Sequence, residues 1–230
     1  MISLSQRDEA TRAASAAALK QHQLIYADES VVRFFARRFN SYLENQSRNA
    51  IDLGFGSGRH LRLMLDFGFQ VWGTDYTVEA IKIVESSIGE HSRLRDLVLG
   101  DFRRQTFEIK FDAVLAWGSL FVSTPSEMHS SIKHIAAAMK TGGRIFLNFR
   151  TSENWFFGLG KEIEKGCFIL DERAGPYSGM CYTFMDLQEV EHLVKSAGLS
   201  IAFVEKMTIS KNYLSELHSW LQVELVADKT

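Results

Sequence analysis

The chain has 230 residues, 46% of them hydrophobic, enough apolar surface for one large domain or one domain with a cap. Its 26 basic and 28 acidic side chains leave a net charge of -2, so there is no electrostatic footprint for nucleic acid. No apolar run approaches the ~20 residues that span a bilayer, and the N-terminal residues lack the charged-then-apolar pattern of a secretory signal. Short basic groups such as Arg103 and Arg104 read as solvated loops and helix faces. The two cysteines, Cys167 and Cys181, have no metal-ligand spacing and read as free thiols, which together with the missing signal predicts a cytoplasmic protein.

Residues 1–48 are expected to form a helical cap. Ser5 is placed to cap a weakly amphipathic helix reaching about Gln21. Ser30 is placed to cap a second helix, with Val31, Phe34, Phe35 and Phe39 near helical spacing, and a loop over 26–29 lies between them. From Asn49 the pattern becomes strand–helix alternation. A strand over 50–53 leads into glycines and a helix from Arg59 to about Phe67, closed by Gly68. A strand over 69–74 ends at Asp75, and Thr77 starts a helix that Gly89 closes. Strands over 97–100 and 111–117 follow, the second almost wholly apolar, as suits a strand covered on both faces.

Thr124-Pro125-Ser126-Glu127 is a capping box with proline at the first helical position. Its helix is predicted to run to about Lys140, stopped by Gly142-Gly143, before a strand over 144–149. A second capping box, Asp186 to Glu189, opens a helix ending at Ala197-Gly198. Strands over 200–207 and 220–227 have no room for a helix between them and predict an antiparallel hairpin. The pattern describes a doubly wound α/β sheet over 49–230 with helices on both faces. Residues 151–185 break the rhythm with Trp155, Phe156, Phe157, Tyr177, Tyr182 and Phe184, and a stretch that long is expected to form a substrate wall.

Ligands of open α/β sheets bind at the carboxyl ends of the strands. Those ends carry Gly54, Gly56 and Gly58, then Asp75, then Asp101-Phe102, then Trp117-Gly118-Ser119. A carboxylate ending the second strand suits the two hydroxyls of a ribose, because it only accepts hydrogen bonds. Asp101 suits an exocyclic amine. The dinucleotide fingerprint G-x-G-x-x-G requires glycine at position 59, where the chain has Arg59. An acid, Asp52, precedes the first glycine instead, and a carboxylate there repels pyrophosphate but suits an ammonium group.

With Asp52-x-Gly54-x-Gly56-x-Gly58, Asp75, Asp101-Phe102 and the segment after the fourth strand in order, the chain resembles the class I S-adenosylmethionine-dependent methyltransferases from about Asn49 onward. The resemblance implies a Rossmann-like seven-stranded sheet with an antiparallel last strand and S-adenosyl-L-methionine as cofactor. It implies that Asp52, Gly54, Gly56 and Gly58 shape the methionine end of the site and that Asp75 takes the ribose. Tyr76, Asp101 and Phe102 would meet the adenine, while Trp117 and Ser119 would line the methyl donor. Tyr26 and Arg59 would reach the donor's carboxylate.

An Asn/Asp-Pro-Pro-Tyr/Phe segment after the fourth strand is absent, which lowers N-methylation of nucleobases or protein amides, and the aromatic stretch favours a small acceptor methylated on oxygen. Residues 149–164 are similar to bacterial small-molecule methyltransferases. A hydroxyl acceptor calls for a base. His218, expected in the loop between the last two strands, Glu162 and His60 are the candidates, and Arg150 and Lys161 are placed to meet an anionic group. A non-catalytic cofactor-binding protein and a nicotinamide-dependent oxidoreductase are the alternatives.

Overall fold

Strand pairing settles how the elements assemble. A computed structural model describes residues 4–21, 23–39 and 47–227. In chain order the elements are α1 (Leu4–Gln21), α2 (Glu29–Arg38), β1 (Asn49–Leu53), α3 (Arg59–Asp66), β2 (Gln70–Asp75), α4 (Val78–Ser87), β3 (Leu94–Leu99), β4 (Phe111–Ala116), α5 (Pro125–Ala137) and β5 (Met139–Arg150). Then come β6 (Lys161–Glu164), β7 (Cys167–Ile169), β8 (Cys181–Thr183), α6 (Leu187–Ser196), β9 (Leu199–Lys211) and β10 (Glu216–Ala227). The main sheet has seven strands in the order β3-β2-β1-β4-β5-β10-β9. The first five are parallel, and β10 pairs antiparallel with both β5 and β9. The order reverses between β1 and β4, which opens a crevice at their carboxyl ends.

Period-two alternation sorts the strand residues onto two buried faces. Ile145, Leu147 and Phe149 of β5 pack with Met128 and Ile132 of α5 and Val190 and Leu193 of α6. Phe146 faces the other way and joins Phe34 and Phe35 of α2, Leu61 of α3 and Val84 of α4. The rings of Phe34 and Phe146 stack at 4.7 Å, anchoring α2 to the sheet. Asn148 and Arg150 have the parity of Phe146, as do their β10 partners Gln222 and Trp220. That parity carries polar side chains beyond the helical cover, toward the carboxyl end of the sheet.

The structure corrects several boundaries. α1 begins at Leu4, so Ser5 lies inside the helix. Asp28, not Ser30, caps α2 by accepting a hydrogen bond from the Ser30 backbone N–H at 2.9 Å. β3 starts three residues earlier than expected, at Leu94. α5 ends at Ala137, and Gly142 and Gly143 fall inside β5, where the register shifts between Phe111/Met139 and Ala113/Arg144. Gly142, at φ 76°, supplies the backbone that this irregularity needs. β9 and β10 are longer than predicted, and their turn is confined to 212–215, with Asn212, Tyr213 and Leu214 at positive φ. His218 is therefore a strand residue opposite Ile209, not a loop residue. Residues 151–185 are not wholly irregular, since they contain the antiparallel sheet β6-β7-β8. Cys167 and Cys181 sit buried on its adjacent strands, their sulfurs 3.4 Å apart.

Candidate active site

β1 delivers its backbone into a turn in which Gly54, Gly56 and Gly58 adopt φ of 81°, 53° and 76°. A Cβ on Gly54 would stand 2.7 Å from Ser119 Cβ, so only glycine lets the β1 and β4 ends close together here. The Gly54 N–H is used by the Thr74 carbonyl, and the Gly56 N–H donates to Asp75 Oδ2 at 2.9 Å. Asp75 Oδ1 also accepts from the backbone N–H and hydroxyl of Thr77, at 2.9 and 2.7 Å. Burial still holds the Asp75 pKa above the usual carboxylate range, against these hydrogen bonds.

Asp52 is 1% exposed, and its Oδ2 has no hydrogen-bond partner. Burial, reinforced by Asp75 and opposed by Arg59, pushes its pKa up to about 8. His60 Nδ1 lies 3.9 Å from that oxygen, while His60 Nε2 accepts a hydrogen bond from the Asp28 backbone N–H at 3.3 Å. Burial and then Arg59 push the His60 pKa down to about 3, so the ring is neutral with its proton on Nδ1. Burial lowers the Arg59 pKa, opposed by Asp28 and Asp52, and Arg59 Nη1 donates to the Tyr26 carbonyl at 3.3 Å. The Tyr26 side chain itself is 85% exposed; its backbone meets Arg59 and its ring turns away.

Tyr76 and Ser15 share a hydroxyl–hydroxyl hydrogen bond at 2.6 Å, and burial drives the Tyr76 pKa up to about 12. Asp101 is gripped by Arg103, whose Nε reaches Oδ1 at 2.8 Å and Nη2 reaches Oδ2 at 2.7 Å. Burial alone would raise the Asp101 pKa, but Arg103 holds it below the ordinary value. Arg103 also pairs with Asp8 of α1 and Glu127 of α5, which locks this corner.

A cavity of about 490 Å3 brings together Gly54, Gly56, Asp75, Tyr76, Asp101, Phe102 and Ser119, and α1 closes it with Asp8, Thr11 and Ser15. The volume lies in the ~300–1,000 Å3 range of small-molecule sites. The partnerless Ser119 Oγ on the cavity wall fits the methionine end of S-adenosylmethionine; Asp52, whose Oδ2 also lacks a partner, lies near the end of β1 outside the lining. Trp117 is absent from this lining. It stacks on Phe146 at 5.0 Å and faces a second cavity of about 840 Å3.

The two cavities share Gly118, Tyr177 and Tyr182 in their walls. Trp155 and Phe156 join the larger one, so residues 151–185 supply part of the wall, whereas Phe157 packs on Phe168 and Phe184. His218 lines this cavity. Its ring stacks on Trp220, its Nε2 lies 3.3 Å from Glu216 Oε2, and burial lowers its pKa despite that contact. Arg150 is 8% exposed, with ring centroids of Phe121, Phe156 and Tyr182 each 4.9 Å and that of Trp220 5.5 Å from its guanidinium carbon.

Glu162 is not part of either cavity. It is exposed on β6 and accepts the Gly166 N–H at 2.8 Å, bracing a turn, and Lys161 is exposed beside it. Four contributors escaped the sequence reading: Ser15, Arg103, Asn148 and Gln222. Of these only Asn148 left a signal, as a polar residue inside an otherwise apolar strand; its Oδ1 accepts the Gly118 N–H at 2.7 Å.

The sequence pattern of a methyltransferase domain matches residues 50–143, the segment that carries the glycine turn, Asp75 and Asp101. A comparison with curated proteins found no match. Among solved structures, the 1,6-didemethyltoxoflavin-N1-methyltransferase of Burkholderia thailandensis, with bound 1,6-didemethyltoxoflavin and S-adenosylhomocysteine, is similar at a TM-score of 0.70 and 17% identity, covering 100% of this chain and 92% of that one. A S-adenosylmethionine-dependent methyltransferase from Clostridium acetobutylicum aligns at TM-score 0.63 and 14% identity, covering 94% and 98%. The magnesium protoporphyrin IX methyltransferase of Synechocystis aligns at TM-score 0.57 and 16% identity, covering 98% and 85%. At these identities the structures speak to the fold, and the matched segment to the family. Residues 50–143 thus match a methyltransferase domain, and the chain has the Rossmann-like fold of S-adenosylmethionine-dependent methyltransferases.

Proposed function

We propose that the chain transfers a methyl group from S-adenosylmethionine to an oxygen of a small-molecule acceptor. The carrying observation is that two cavities meet at Gly118 and Tyr182, one walled by the strand-end acids and the other by rings and His218. When bound, S-adenosylmethionine supplies a sulfonium methyl that moves in line to a nucleophile. Asp52 would face the donor's ammonium and Arg59 its carboxylate. Asp75 would hold the ribose through its remaining acceptor capacity, with Tyr76, Asp101 and Phe102 around the adenine. α1 and α2 act as the cap, and α1 keeps water from the smaller cavity, which strengthens every charge interaction inside it.

Glu216 sits where it accepts from His218 Nε2–H, leaving Nδ1 as the acceptor for a proton lost by a hydroxyl. The depressed His218 pKa keeps the ring unprotonated near neutrality. The balanced net charge of -2 favours a small molecule over a nucleic acid.

Titration calorimetry with S-adenosylhomocysteine tests the donor half. Wild type is expected to bind, and Asp75→Ala to bind at least about ten-fold more weakly, since the substitution also strands the Gly56 and Thr77 N–H groups. Absence of binding by wild type would sink the reading. Labelled-methyl transfer across a panel of hydroxylated small molecules, with His218→Asn slowed and its acid limb lost, tests the acceptor half.

A further inference from the structure

Arg150 is the one buried cation of the larger cavity that no carboxylate approaches within 4 Å among the described residues. Its guanidinium has five N–H donors. Nη1 is used by Asn154 Oδ1 at 3.2 Å, Tyr182 contributes a further side-chain contact, and Nε has no partner at all. Of the other cations lining the cavity, Arg59 is only half-buried and donates to the Tyr26 carbonyl, and Lys211 is exposed; neither has a carboxylate within 4 Å among the described residues. Arg173 pairs with Asp171 at 2.6 Å, Glu216 contacts His218, and Asp28 caps α2. Four ring faces stabilise the guanidinium without neutralising it, because a ring quadrupole carries no net charge. A buried charge is tolerated when something pairs with it, and a partner entering this cavity must bring the negative charge.

The walls narrow the partner further. Trp117, Phe156, Tyr182 and Trp220 present flat apolar surface, while Asn148 and Gln222 add neutral polar contacts on the Arg150 side of the sheet. Building on the methyl-transfer reading above, we propose that Arg150 is the specificity-determining residue of the acceptor site, selecting a planar acceptor that carries a carboxylate or phosphate and seating that anion on its guanidinium. A second nucleophilic group on the same molecule would then be presented toward Gly118 and Tyr182, where the two cavities meet. Seating the anion away from that junction separates recognition from chemistry, so the group bound by Arg150 is not the group methylated.

Three of the four tryptophans, Trp117, Trp155 and Trp220, line this cavity, so intrinsic fluorescence reports on its occupancy. The probes are 4-hydroxybenzoate and phenyl phosphate as the two anions, with 4-hydroxybenzamide and phenol as uncharged counterparts. At least one anion is expected to quench saturably at concentrations about ten- to hundred-fold below its uncharged counterpart, the range of a charge-assisted hydrogen bond. The anion that gains the larger factor identifies carboxylate or phosphate as the preferred group. Arg150→Gln is expected to remove the advantage and Arg150→Lys to keep part of it. Should the glutamine variant fail to fold, the wild-type contrast and the lysine variant still decide. Equal binding of charged and uncharged probes, no saturable binding of either anion, or an advantage that survives in Arg150→Gln overturns the proposal. S-adenosylhomocysteine calorimetry on the same preparations reads the smaller cavity separately, so loss of donor binding and loss of anion preference are distinguishable failures.

Discussion

The buried Asp52 carboxyl should make donor binding depend on pH in a way few surface acids would. In the free protein, burial and the neighbouring Asp75 push its pKa up to about 8, with Arg59 opposing. The carboxyl is then ~1% ionised at pH 6 and ~10% ionised at pH 7. A ligand ammonium pairs with the ionised form, so binding must first expel the proton. Affinity for S-adenosylhomocysteine should rise about ten-fold per pH unit between pH 6 and 7.5, and the loss at pH 6 against the alkaline plateau amounts to about 3 kcal/mol. At pH 7, binding should release about 0.9 proton per site, seen as a difference in calorimetric heat between buffers of low and high ionisation enthalpy. His60 does not confuse the reading, because its pKa of about 3 lies below the window.

The same carboxyl affects folding with the opposite sense. A raised pKa in the folded state stabilises the fold fully below about pH 4, and that contribution is lost as pH climbs through about 8. The unliganded protein should therefore lose melting temperature toward pH 8, and Asp52→Asn should abolish both trends. A donor affinity that is flat from pH 6 to 8, or a proton release near zero at pH 7, refutes the reasoning.

Gly54→Ala places a side chain at φ 81° and 2.7 Å from Ser119 Cβ, so it should cost about 1–2 kcal/mol in chemical denaturation and weaken S-adenosylhomocysteine binding measured by calorimetry. Glu224 is buried between Arg38 and Arg144, which reach it at 2.7 and 3.0 Å; Glu224→Ala should destabilise by about 3 kcal/mol in urea, and Glu224→Gln by less. Phe34→Ala removes a fully buried ring stacked on Phe146 and should cost about 3–5 kcal/mol, with a matching drop in the urea midpoint.

The parallel half of the sheet was legible because each of its signals is local. A glycine turn, an acid at a strand end or a capping box occupies a few adjacent residues, and Thr124 with Glu127 and Asp186 with Glu189 both form the reciprocal bonds their spacing implied. The failures are places where two local readings share one signal. Gly142-Gly143 reads equally as a helix stop or a strand irregularity, and Asp28 and Ser30 are both good caps two residues apart. Strands of three or four residues, as in β6, β7 and β8, are too short for alternation to show. The length of the β9–β10 hairpin depends on pairing across the sheet, which is why His218 was placed in a loop. The partnership of Arg103 with Asp8, and the closure of the cavity by α1, join segments about a hundred residues apart and leave no trace in local sequence.

The place of β10 bears on how the chain is made. It lies between β5 and β9, so as the polypeptide emerges from the ribosome β5 has no partner on one side until the hairpin arrives. During that interval Ile145, Phe146, Leu147 and Phe149 form an apolar edge open to any passing strand. Synthesis stalled before residue 216 would leave the strand-end acids in place but the edge bare, a species suited to chaperone capture and prone to aggregate. His218, Trp220 and Gln222 arrive on the strand that seals it, so quality control of the nascent chain and completion of its second cavity are one event.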